Sequence, residues 1–283
     1  MKTDVWLDTT ALVDLEFRSA ALRQHILSLF PQGSTRRTSR YVLFELARGV
    51  LRHLIRLHNK AAEARTLADL IQYIGNCNVG SRRAASTMFN AYQDFLRDSE
   101  ATDGPLTQAG QLEEFRSWLA PHIRRRWQRA RSLSTENPMG CQPDLPAPQF
   151  QPASPPDSHL ETITHDLPSR RCGQPDNCAL IASMQRRAGD FLTMTTALDA
   201  LPQKDEETTA RIPALQRLLA QPPAQPFQRK DCYRCADAII VSEAPAGATI
   251  LSKNEKHFRP LCDALAKPLQ TYTEPKPATR PVA

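Results

Sequence analysis

This 283-residue sequence has no long apolar run, no recognisable export signal and an odd number of cysteines. No stretch approaches the roughly 18 consecutive apolar residues that indicate a transmembrane helix, so we expect no membrane partner. Asp4 and Asp8 interrupt the N-terminal segment where a signal peptide needs an apolar core, and we therefore expect a cytoplasmic protein. Seven cysteines in a long chain favour reduced thiols over a disulfide framework.

Several catalytic motifs are missing as well. The sequence contains no glycine-rich phosphate loop, no recognisable serine triad and no HExxH zinc-protease motif. It has 23 prolines and a mean hydropathy of -0.46, which indicate sizeable unpacked segments. A formal charge of +6 permits a polyanionic partner without requiring one.

Acidic and polar residues follow two segments with strand-like patterns. Residues 5–7 form a short apolar strand that ends at Asp8, and residues 248–251 form a second, β-branched one. Ser252 and Asn254 follow the second strand directly, and Asp237 begins the apolar run before it. The carboxyl ends of strands in an α/β sheet line the ligand crevice, so these side chains are expected to lie near one another.

A third acid, Glu45, lies beside the apolar stripe of a helix predicted over residues 40–58. Clustered carboxylate oxygens suit Mg²⁺ or Mn²⁺, which can activate water for phosphodiester cleavage. The alternative is that each acid alone is a helix cap or a solvated side chain, and only the set argues for a metal site.

The segment Leu7-Asp8-Thr9-Thr10-Ala11-Leu12, Glu45 in FEL, Asp237 in ADAII and the closing GATILSKNEKHF together resemble the PIN-domain nucleases, including the VapC-like toxins. The resemblance covers less than half of the chain. It implies an α/β, three-layer fold with a central parallel sheet and Mg²⁺- or Mn²⁺-dependent cleavage of RNA. It also implies that Asp8, Glu45 and Asp237 are metal ligands.

The remaining positions of that motif set have supporting roles. Thr10 matches a hydroxyl position that supports the water at the metal, and Ser252 has the spacing from Asp237 that the family shows. Asn254 lies where many members have a fourth acid, so it is a catalytic candidate that weakens the case for a second ion. The family setting implies a toxin or defence nuclease with an inhibitor or antitoxin protein, and it is compatible with a homo-oligomer.

The domain organisation expected from this resemblance is discontinuous. Residues 1–58 and 230–266 form the PIN-like domain, and residues 59–229 form a mostly α-helical, basic insertion with a Pro-rich loop at 137–156. Residues 267–283 form a flexible tail. The size of the insertion is a departure from the compact toxins.

The insertion contains a basic helix, predicted over residues 111–131 with an interruption at Pro121. Guanidinium groups bind phosphates and stack on bases, and the helix also has Trp118 and Trp127, so an RNA-binding role is a hypothesis. The alternative is a solvated helix face with both tryptophans in the core. The arginines concerned are Arg116, Arg124, Arg125, Arg126 and Arg129.

Four cysteines raise the further hypothesis of a structural Zn²⁺ site: Cys172, Cys178, Cys232 and Cys235. Only the second pair has the CxxC ligand spacing, and free buried thiols are the favoured interpretation. His257, beside Phe258, is a candidate for contact with a substrate phosphate, but a structural or surface role is the favoured interpretation. The competing function is a non-catalytic RNA- or protein-binding module on a PIN-like scaffold, possibly with this zinc site. DNA in place of RNA is a further alternative.

Overall fold

The computed structural model describes residues 4–100, 108–134, 148–152, 161–164, 179–220 and 229–274. The chain divides into two compact units. The sheet unit comprises Met1–Leu15, Ser19–Ser39 and Ile181–Ala283, and the helical unit comprises Glu16–Arg18 and Arg40–Leu180. These bounds differ from the predicted domain bounds, since the helices after residue 181 belong to the sheet unit and the helix that contains Glu45 belongs to the helical unit.

A four-stranded parallel sheet is the centre of the sheet unit, which confirms the α/β class with a parallel sheet. The strand order is β2-β1-β5-β6, with β1 Asp4–Leu7, β2 Thr35–Thr38, β5 Thr249–Ser252 and β6 Leu269–Thr271. Leu7 pairs with Thr38 on one side and with Leu251 on the other. The carboxyl ends of β1 and β5 are therefore level, and the residues that follow these strands lie at one edge.

The central strand β1 is buried, as is usual for parallel strands, whose two faces are covered by helices. Val5, Trp6 and Leu7 are at most 1% exposed, and the Trp6 indole donates to the Ile240 carbonyl oxygen at 3.1 Å. The helices of this part of the chain are α1 Thr9–Phe17, α2 Ala20–Ser28, α8 Ala179–Arg186, α9 Ala188–Asp199, α10 Glu206–Leu219, α11 Arg229–Arg234, α12 Ala236–Glu243 and α13 Glu255–Ala264.

The connection from α12 to β5 positions the second predicted strand. Gly247 adopts a positive φ of 77°, which glycine tolerates without steric cost, in the turn before β5. The ammonium group of Lys267 donates to the carbonyl oxygens of Val241 and Ala244 at 2.6 Å each, which satisfies the C-terminal end of α12.

The helical unit contains α3 Arg40–Leu46, a π-helical turn Ala47–Leu51, α4 Arg52–Glu63, α5 Leu67–Gly80, α6 Arg82–Glu100 and α7 Gln108–Ser132. α7 continues through Pro121, contrary to the predicted interruption. Leu119 and Ile123, on either side, are fully buried. Their packing offsets the roughly 3 kcal/mol that an internal proline costs a helix.

A short antiparallel pair, β3 Gln149–Pro152 and β4 Glu161–Thr164, also belongs to this unit. β3 lies within the segment that was predicted to be a loop. Phe150 pairs with Ile163, and Pro152 is the last residue of the strand, where a missing backbone N–H costs little. Within the described part of the chain, no helix combines the length and the apolar composition that crossing a bilayer requires.

Candidate active site

Asp8 lies directly after β1 and is only 2% exposed. Its Oδ1 accepts hydrogen bonds from the Thr10 hydroxyl at 2.9 Å and the Ala11 backbone N–H at 2.6 Å. Its Oδ2 accepts from the Ser252 hydroxyl at 2.7 Å and again from Thr10 at 2.8 Å. Asp8 therefore caps α1 and at the same time connects the ends of β1 and β5.

This environment works against the charged form of Asp8. Burial raises the pKa of its carboxyl from an ordinary value of 3.8 to about 6, although the hydrogen bonds from Ser252, Ala11 and Thr10 act in the opposite direction. The negative charge of Asp237 raises the pKa further by a smaller amount. The two carboxylates thus interact electrostatically, and a cation near them would stabilise the ionised form of Asp8.

Ser252 and Asn254 extend this arrangement from β5 into α13. The Ser252 hydroxyl accepts the Asn254 backbone N–H at 3.0 Å while it donates to Asp8. Asn254 is the N-cap residue of α13, and its carbonyl oxygen accepts the N–H groups of His257 and Phe258. The Asn254 side chain makes no capping hydrogen bond, so its amide is not required by the helix end.

Asp237 lies in the first turn of α12 and forms an ion pair that sequence analysis did not predict. Its Oδ2 accepts a 2.5 Å hydrogen bond from the Arg211 guanidinium, which is 1% exposed. Arg211 also donates to the Arg234 carbonyl oxygen at 2.8 Å and to Glu207 Oε1 at 2.9 Å. A buried guanidinium needs such partners, and they hold Asp237 in one position.

His257 completes a carboxylate–imidazole cluster with Glu207 and Asp237, whose ligand atoms all lie within 4.8 Å of one another. His257 Nδ1 is 3.3 Å from Glu207 Oε2 and 3.7 Å from Asp237 Oδ2. Sequence analysis did not single out Glu207 or Arg211. Their four-residue spacing on a helix is the one sequence signal for the pair, and nothing local to α10 indicates that it faces Asp237.

Glu45 lies on α3 in the helical unit, where its side chain is half-buried. Its role as a metal ligand stays a prediction. Asp8, Thr10, Asp237, Ser252 and Asn254 all belong to the sheet unit.

The arginines predicted to bind RNA lie on α7 and differ in their environments. Arg125 and Arg129 are exposed, whereas Arg124 and Arg126 are half-buried. Arg116 donates to the carbonyl oxygens of Ala61 and Ala64 at 2.7 and 2.5 Å, so it satisfies the C-terminal end of α4. These contacts give Arg116 a structural role.

Burial and the arginines of α7 lower the pKa of His122, which lies on the same helix. Burial, followed by the charges of Arg126, Arg125 and Arg129, lowers the pKa of His122 to about 3. Trp127 is buried, as the alternative interpretation of the helix expected. Trp118 is half-buried, stacks on Phe115 and donates its indole N–H to Asp98.

The zinc hypothesis involves two cysteines, Cys172 and Cys178, that lie outside the described residues. Cys232 and Cys235 are both buried, at 7% and 0% exposure. Burial raises the pKa of the Cys235 thiol well above its ordinary value, which disfavours the thiolate in the absence of a metal.

Comparisons with family models, with curated proteins and with solved structures found no match to this chain.

Proposed function

We propose that the protein is a metal-dependent nuclease of the PIN-like type that cleaves RNA phosphodiester bonds. The observation that supports this most strongly is the hydrogen bond from Ser252 to Asp8, which joins two predicted motifs 244 residues apart at the carboxyl edge of a parallel sheet. Asp237, from a third motif, lies close enough to raise the pKa of Asp8.

The residues present fit a Mg²⁺ or Mn²⁺ ion in chemical type. Asp8 and Asp237 offer the hard oxygen ligands that these ions prefer, and Glu45 is the third candidate from the resemblance. The buried carboxyl of Asp8 has a raised pKa, as expected for a group whose ionised form needs a nearby cation. When bound, such an ion activates water and stabilises charge on the phosphate.

The chain's own residues would orient the site. Thr10 and Ser252 each donate to Asp8 and so fix the plane of its carboxylate. Asn254, at the start of α13, presents an amide that can donate to a phosphate oxygen. In the helical unit, taken by itself, the exposed Arg125 and Arg129 of α7 offer positive charge for a polyanion.

One observation favours the competing function, a non-catalytic binding module. Asp237 is engaged by the buried Arg211 at 2.5 Å, and both oxygens of Asp8 already accept hydrogen bonds. In that case the carboxylates are structural, and RNA or protein binding would survive their loss.

The test is cleavage of a panel of structured and single-stranded RNAs, with a matched DNA panel, in Mn²⁺ or Mg²⁺. Wild type is compared with Asp237→Asn and with Asp263→Asn, which neutralises an exposed acid of α13. We expect metal-dependent RNA cleavage by wild type and Asp263→Asn only. Intact RNA in every reaction, with RNA binding retained by Asp237→Asn, would overturn the proposal in favour of the binding module. Cleavage of DNA alone would overturn the assignment of RNA as the substrate.

A further inference from the structure

We propose that Glu207, Asp237 and His257 form a second metal site, one that takes a divalent first-row transition metal such as Mn²⁺ or Zn²⁺ in preference to Mg²⁺. Neither Glu207 nor His257 belongs to the motifs that carry the resemblance. The three side chains come from α10, α12 and α13 of the sheet unit.

The tautomer of His257 is the first argument. Its Nε2 lies 3.3 Å from Asp205 Oδ2, and Asp205 is fixed by the Thr208 backbone N–H at 2.7 Å and by Lys256 at 2.8 Å. Carboxylates lie at the same 3.3 Å from Nε2 and from Nδ1, so a proton on Nε2, directed at Asp205, requires a cation on the Nδ1 side. The lone pair of Nδ1 then faces Glu207 and Asp237, which is the arrangement of a metal-binding histidine oriented by a carboxylate.

Second, His257 Nδ1 is buried and has no hydrogen-bond partner among the residues that the structure describes. A lone pair that faces two carboxylates at 3.3 and 3.7 Å is repelled unless a cation lies between them. Two ligand atoms about 2.1 Å from a tetrahedral ion are about 3.4 Å apart. The 3.3 Å separation from Glu207 Oε2 matches this geometry, and the 3.7 Å separation from Asp237 Oδ2 is a few tenths of an ångström longer.

Arg211 shapes the cluster without occupying all of its oxygens. Its guanidinium binds Glu207 Oε1, which leaves Glu207 Oε2 for another cation, whereas Asp237 Oδ2, the oxygen 3.7 Å from His257 Nδ1, is shared with Arg211. Two carboxylates and one guanidinium carry a net charge of minus one, which favours a cation at the cluster.

The choice of metal follows from the donor set. Mg²⁺ prefers oxygen ligands and keeps its waters, whereas an imidazole nitrogen suits first-row transition metals such as Zn²⁺, and the two carboxylates also suit Mn²⁺. Mn²⁺ is the better probe in this chain, because Zn²⁺ would also bind cysteine thiolates.

The experiment measures Mn²⁺ binding to the full chain by calorimetry and the ¹⁴N coupling of the bound ion by pulsed electron paramagnetic resonance. We expect wild type to show directly coordinated nitrogen. His257→Gln should lose that coupling and bind Mn²⁺ at least tenfold more weakly, while His25→Gln, at the end of α2, should behave as wild type. Glu207→Gln should also weaken binding. Its side chain is 49% exposed and the glutamine amide oxygen can still accept the hydrogen bond from Arg211, so the fold is retained.

A bound Mn²⁺ without nitrogen coupling would overturn the proposal. A coupling and an affinity that His257→Gln leaves unchanged would overturn it as well. The site does not rest on the proposed nuclease function. Nitrogen-coupled Mn²⁺ without RNA cleavage would retain the site and overturn the nuclease, and Mg²⁺-dependent cleavage without nitrogen coupling would do the reverse.

Discussion

Replacing Asp8 by asparagine should stabilise the protein at neutral pH, which is unusual for a residue placed in a candidate active site. The pKa of Asp8 is raised by burial from 3.8 to about 6. When the pKa of a group is higher in the folded than in the unfolded state, its contribution to the free energy of unfolding is complete below the pKa of the unfolded state. That contribution is lost as the pH rises through the pKa of the folded state. The loss therefore falls between about pH 4 and pH 6.

The size of the effect follows from linkage. A shift of about two units, at about 1.36 kcal/mol per unit, corresponds to roughly 3 kcal/mol of unfolding free energy lost by wild type at pH 7. Asparagine carries no charge and escapes this loss. Its amide NH₂ cannot accept the hydrogen bonds that one carboxylate oxygen accepts, which costs about 1 kcal/mol. Asp8→Asn should thus be about 2 kcal/mol more stable than wild type at pH 7.

Urea unfolding in metal-free buffer at pH 4.5, 5.5 and 7.0 measures this difference. The two proteins should agree within about 1 kcal/mol at pH 4.5 and diverge as the pH rises, because wild type still retains most of the Asp8 contribution at pH 4.5. Asp263→Asn is the control and should follow wild type at each pH. An Asp8→Asn variant that is less stable than wild type at pH 7, or a difference that does not change with pH, would refute the reasoning.

Three further predictions concern single polar side chains. Ser252→Ala removes the donor to Asp8 and the acceptor for the Asn254 N–H, so it should lower the free energy of unfolding by about 1.5–3 kcal/mol, with the exposed Ser28→Ala as control; equal urea midpoints for the two variants would contradict it. Arg116→Ala should lower the free energy of unfolding by about 1.5–3 kcal/mol, because the carbonyl oxygens at the C-terminal end of α4 lose their hydrogen-bond donor. Arg125→Ala should leave stability within about 0.5 kcal/mol and weaken RNA binding with a shallower salt dependence, and the opposite pattern would exchange their roles.

Local patterns predicted the elements that carry the candidate site. The apolar run before Asp8 and the β-branched run before Ser252 are strands β1 and β5, and Asp237 lies in the first turn of α12. These elements are short, buried and bounded by polar residues or turns, so periodicity and composition are sufficient to recognise them.

Contacts between segments far apart in the sequence could not be predicted from such local patterns. Arg211 and Asp237 are 26 residues apart, and only the packed sheet unit shows that a buried guanidinium engages the predicted ligand. The same holds for Arg116, which is indistinguishable in sequence from its exposed neighbours but donates to carbonyl oxygens of the α4 end more than 50 residues away. Strand β3 was missed because its partner, β4, lies beyond a Pro-rich segment.

The most direct test of the nuclease proposal is the Mn²⁺-dependent RNA cleavage rate of wild type relative to Asp8→Asn. Because that variant is expected to be at least as stable at pH 7, a lost activity cannot be attributed to unfolding. We expect a decrease on the order of 100-fold or more, equivalent to about 2.7 kcal/mol of transition-state stabilisation. Equal metal-dependent rates for the two proteins would contradict the role of Asp8 and, with it, the proposed site.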